Sequence, residues 1–136
     1  MTFKQLCRQV VIVGTLLIWL IKFLVRPFHL LPHGADFMLG VAPNLLGSFL
    51  LPFGAYWFFH GRDHLMARVL RLHNAVELRQ VCLISFALLI LNEYLQMIPV
   101  FGRTFDIYDI LVSVPGLSLS YFSFSRLQQR YTPSTA

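Results

Sequence analysis

Charge is what this chain has least of. Asp, Glu, Lys and Arg together make up 12% of its 136 residues and hydrophobic residues 57%, whereas an average soluble domain is roughly 25% charged. So small a polar complement cannot cover a soluble globule of this size, and the soluble class is set aside. Membrane β-barrels are excluded as well, because the apolar runs do not alternate in the ~10-residue strands such barrels require. The chain shows no Ser-centred elbow, phosphate-binding Gly loop or paired Cys motif, so the usual soluble-enzyme templates do not apply. No reaction is assigned on this basis, and no cofactor is expected.

Other scarcities narrow the class further. Cysteine occurs only at Cys7 and Cys82. Both fall near the cytoplasmic ends of their segments in the topology below, where thiols stay reduced, so no disulfide is expected. Lys4 and Arg8 precede the first apolar stretch as in a signal peptide, but no small-residue cleavage site follows it. That stretch is long for a signal core and ends in Lys22 and Arg26, so it reads as an uncleaved membrane helix with Lys22 snorkelling to the headgroups. The net charge of +5 is not arranged as a basic stripe interleaved with stacking aromatics, so no nucleic-acid partner is expected. Its natural counterpart is the anionic lipid of a cytoplasmic leaflet.

What the chain does have is four apolar runs, near 8–25, 36–60, 79–100 and 106–124. Each is close to the ~20 residues needed to cross a bilayer as a helix. The fold class is therefore an all-α bundle of four transmembrane helices, forming a single membrane domain over 1–127 with a polar, mobile tail at 128–136. Four crossings put both termini on one face. Lys4, Arg8, Arg62, Arg68, Arg71, Arg79, Arg126 and Arg130 fall on that face, and Lys22, Arg26 and Arg103 on the other. Eight against three places both termini in the cytoplasm. Between the second and third runs, Leu65, Val69, Leu72 and Val76 recur at helical spacing with Arg68, Arg71 and Arg79 on other faces. This segment reads as an amphipathic helix, lying on the inner leaflet or packed beneath the bundle.

Three of the runs carry a small or polar stripe. The second has Gly40, Asn44, Gly47, Leu51 and Gly54; the third Cys82, Ser85, Leu89, Glu93 and Gln96; the fourth Asp106, Asp109, Ser113, Gly116 and Ser120. An ionisable residue at mid-membrane costs roughly 2.5–3.5 kcal/mol on insertion scales, so the economical arrangement turns the stripes toward one another, small residues allowing close approach. Glu93, Gln96, Arg103, Asp106 and Asp109 then gather at the outer end, supported by Asn44, Ser113 and Gly116. Counting Arg103 as the one nearby cation, two negative charges are left over, which a proton, a cation or a ligand amine relieves. The plainer alternative has Arg103 forking onto a carboxylate to pin the loop.

The run Glu93-Tyr94-Leu95-Gln96, then Gly102-Arg103-Thr104-Phe105-Asp106-Ile107-Tyr108-Asp109, then Gly116, resembles the signature of the VanZ-like family of small membrane proteins. In that family a Glu and a Gln end one membrane helix, and an Arg and an Asp open the next. The likeness covers 92–120, and 44–54 more loosely resembles the family's earlier Asn/Pro/Gly helix. Ser113 stands where the family usually has Asn, and Ser120 where a second Gly is common. The resemblance implies a polytopic fold and an association with the bacterial cell envelope and with teicoplanin (antibiotic) resistance. It implies partners among membrane lipids, envelope precursors or glycopeptides. The alternative function is a non-catalytic accessory subunit of a larger membrane complex, with other membrane subunits as partners.

Weaker signals are read plainly. His29 and His33, and His60 and His64, are spaced four apart, but Pro32 and Gly61 interrupt the pairs, and no metal site is expected. The Phe, Tyr and Trp residues, including Tyr56, Trp57 and Phe124, suit interface belts and helix packing.

Overall fold

The computed structural model describes residues 1–28, 32–61, 65, 78–96, 98 and 106–131. Helix α1, Phe3–Leu20, opens on a reciprocal cap: the Gln5 backbone N–H donates to Thr2 Oγ1 at 3.3 Å, and the Thr2 N–H to Gln5 Oε1 at 2.9 Å. It continues as a π turn, Ile21–Val25, in which the Arg26 N–H donates to the Ile21 carbonyl at 3.0 Å. A 3₁₀ turn, His33–Ala35, leads into α2, Asp36–Phe59. Helices α3, Leu78–Gln96, and α4, Ile107–Tyr131, complete the set.

Four candidate spans of 23, 24, 18 and 25 residues result. At 1.5 Å per residue they reach about 27–38 Å, matching the ~30 Å hydrocarbon core. The expected all-α membrane bundle is present, with no strand among the described residues. Helix ends differ from the hydropathy limits in a consistent way. Helix α1 starts before Arg8 and α4 continues past Phe124, because Lys4, Gln5, Arg126, Gln128, Gln129 and Arg130 are good helix formers that carry the ladder beyond the apolar run. Gln128 to Tyr131, expected in the tail, thus belong to α4. The amphipathic segment between the second and third runs lies almost wholly outside the described residues.

Helix α2 is central and packs on the other three, most extensively on α4. One end of the bundle is closed by aromatic rings. Phe124 is fully buried, and meets Phe3, Phe53 and Tyr56 edge to face with centroids 5.0, 5.3 and 5.5 Å apart. Cys7 is sealed beneath this cluster. Phe3 also approaches Tyr131 at 6.0 Å, and Lys4 Nζ donates to the His60 carbonyl at 2.8 Å. The first turn of α1 and the last turn of α4 therefore share an end with the last turn of α2.

Further along, small residues let helices approach, though not all of those expected. A Cβ at Gly14 would stand 2.5 Å from Leu50, and one at Gly116 would meet the Ser48 side chain and, at 2.7 Å, the Leu45 carbonyl. Gly40 and Gly47 instead have nothing within 4 Å of a Cβ position. Gly40 and Gly47 are therefore not packing positions, whereas a Cβ at Gly54 would touch Val11 of α1 at 3.9 Å. Ser48, one residue and about 100° round from Gly47, carries the contact with α4, and the glycine side borders open space. Two of the buried serine hydroxyls turn back on their own helix backbone: Ser48 Oγ donates to Leu45 O at 2.9 Å and Ser113 Oγ to Asp109 O at 2.6 Å.

Candidate functional site: a charged cavity between four helices

At the opposite end, all four helices line a cavity of about 700 Å³. Helix α1 and its π turn contribute Ile18, Lys22 and Arg26; α2 contributes Gly40 and Asn44. Asn92 and Glu93 come from the last turns of α3, and Asp106 and Asp109 from the start of α4. Phe37 and Tyr108 meet edge to face at 5.9 Å on its rim.

Of the residues singled out from sequence, Glu93, Asp106, Asp109 and Asn44 thus line one cavity. Ser113 and Gly116 are buried, and Gly116 sits in the α2–α4 contact. Gln96 ends α3, but its side chain, like Arg103 and its loop, lies outside the described residues. The charge count changes. Lys22 and Arg26, read from sequence as an interfacial anchor and a topology marker, line the same cavity as the acids. Among the described lining residues three acids therefore stand with two cations, whereas Arg103, the cation counted from the sequence, lies outside the described residues. Ile18, Lys22 and Arg26 are spaced four apart, but a cation near a helix end ordinarily reaches toward headgroups, so this spacing alone does not mark a recess.

Helix direction explains some of these charges and not others. Helices α2 and α4 present their N-termini to this end, and α1 and α3 their C-termini. Carboxylates are favoured at helix N-termini and cations at C-termini. Asp106 follows this rule directly, its Oδ1 accepting from the Tyr108 N–H at 2.9 Å as a cap, and Asp109 lies in the first turn. Lys22 and Arg26 suit the end of α1. Glu93 runs against the rule: it lies one turn from the C-terminus of α3, where the dipole opposes a negative charge, and it is only 7% exposed.

A second void of about 510 Å³ lies between α1, α2 and α3 and is almost entirely apolar, bordered by Thr15, Ile18, Gly47, Gly54, Ser85 and Leu88 among others. No group of three or more His, Cys, Asp or Glu with metal-binding geometry occurs among the described residues. Cavity and fold define a multi-pass, all-α membrane protein with a charged recess at one end. Comparison with family models, with curated proteins and with solved structures returns no match.

Proposed function

We propose that this chain is a VanZ-like protein of the bacterial inner membrane, with both termini cytoplasmic, whose outward cavity binds the charged headgroup of an envelope or lipid-linked molecule. The observation that carries this reading is Glu93: a buried carboxylate at the disfavoured end of its helix, facing a cavity that Lys22 and Arg26 also line. A carboxylate that burial and the dipole both oppose suits a role in ligand recognition. The run from Glu93 to Asp109 that resembles the VanZ-like signature brings three of its acids to this cavity. That resemblance carries the link to glycopeptide resistance.

The test is expression in a teicoplanin-sensitive host. Wild type should raise the inhibitory concentration several-fold, and Glu93→Gln should return it to the vector level with the protein still folded in the membrane. Resistance retained in Glu93→Gln removes the proposal.

A second reading, an accessory subunit, is favoured by α1. Apart from Phe3, Cys7 and Gly14 it buries little, and Leu16, Trp19 and Phe23 on its flank are 64%, 61% and 55% exposed. Under this reading the native protein purifies in mild detergent as a stable heteromer; a persistent monomer rejects it.

A further inference from the structure

The charged cavity and the apolar void are neighbours. Ile18 borders both. On α2 the charged lining ends at Asn44 and the apolar lining begins at Gly47; on α3 the corresponding residues are Asn92 and Leu88. On three helices, then, the chain passes from polar wall to apolar wall over three or four residues, about one turn. Along α2 the apolar stretch extends from Gly47 to Phe59, about 18 Å at 1.5 Å per residue. That is comparable with one leaflet of a ~30 Å hydrocarbon core, the length of a single acyl chain.

The charged end has two poles. Lys22 and Arg26 both come from α1, whereas Glu93, Asp106 and Asp109 come from α3 and α4 on the other side. A purely anionic headgroup would satisfy the first pole and be repelled by the second. A quaternary ammonium would bring a positive charge but no N–H to donate to a carboxylate. A phosphodiester joined to a primary ammonium serves both poles: phosphate oxygens accept from Lys22 and Arg26, and the ammonium donates to the acids.

Resting on the headgroup-binding reading above, we infer that the ligand is a phospholipid with a primary-amine zwitterionic head, its phosphate against Lys22 and Arg26, its ammonium against Glu93 and Asp109, and one acyl chain along the apolar groove. The purified full-length chain in detergent, titrated by native mass spectrometry with dioleoyl phosphatidylethanolamine, phosphatidylcholine and phosphatidylglycerol, tests this. Phosphatidylethanolamine should bind about tenfold more tightly than either of the others, the effect of one charge-assisted hydrogen bond. Lys22→Gln, on an exposed side chain, should weaken all three lipids, and Glu93→Gln should reduce phosphatidylethanolamine to the level of phosphatidylcholine. Gly47→Leu places its side chain in open space. It should weaken the dioleoyl lipid but leave dihexanoyl phosphatidylethanolamine unaffected.

Equal affinity for the three headgroups, or dioleoyl binding unchanged in Gly47→Leu, overturns the assignment. If the lipids bind alike while Glu93→Gln still loses teicoplanin resistance, the lipid assignment falls and the headgroup site stands for another ligand. If resistance also survives that substitution, both fall.

Discussion

Gly116 of α4 lies directly against Ser48 of α2, with the Leu45 carbonyl behind it, so that no side chain fits between the two helices at this point. The contact fixes how closely the parallel pair α2 and α4 approach, and hence how their N-terminal ends present Asn44, Asp106 and Asp109 to the cavity.

Gly116→Ala should therefore destabilise the bundle by about 1–3 kcal/mol, the usual cost of overfilling a tight contact. Gly47→Ala, with open space around its Cβ position, should be neutral or stabilising by up to ~1 kcal/mol through helix propensity. Thermal unfolding in detergent separates the two, and equal effects would contradict the packing described.

The aromatic end makes a comparable contrast. Phe124→Ala removes a fully buried ring that meets three others and should cost about 3–5 kcal/mol. Phe122→Ala, at a side chain 65% exposed, should shift unfolding by no more than about 0.5 kcal/mol.

His60 sets a pH dependence at the same end. Burial first, and the nearby Lys4 ammonium second, hold its imidazole below the ordinary value of 6.5. The folded state thus binds fewer protons than the unfolded state as pH falls through that value. Stability is full above the ordinary imidazole pKa and declines below it. Melting temperature should drop between pH 7.5 and 5.5 in wild type and drop less in His60→Gln.

Orientation has its own test. A C-terminal fusion should report a cytoplasmic position, fluorescent with a cytoplasmic reporter and inactive with a periplasmic phosphatase. The opposite pattern reverses the inside-outside assignment and moves the charged cavity to the cytoplasmic face.

Much of this was legible in the sequence because apolar run length and small-residue spacing act locally. The four spans could be read from their length, and the stripe Ser113, Gly116 and Ser120 does form the buried face of α4. The α2 stripe was legible as a pattern but not in its role. Glycines at helical spacing serve equally to admit a neighbour or to leave room, and only the partner helix decides which. Ser48, the residue that makes the contact, had no distinguishing neighbours in sequence. Lys22 and Arg26 were hidden for a related reason. A cation near the end of a membrane helix ordinarily reaches toward headgroups, and nothing within α1 itself reveals that its final turns border a recess shared with α3 and α4.

The π turn at Ile21–Val25 has a consequence for that wall. Such a turn holds one residue more than regular α winding would, and whatever follows it is rotated by about 100° relative to an uninterrupted helix. Arg26 comes immediately after it. Shortening this segment by a single amino acid would restore regular winding and swing the guanidinium away from its present bearing. A deletion that leaves the hydrophobic length almost unchanged would thereby aim a different side of α1 at the recess.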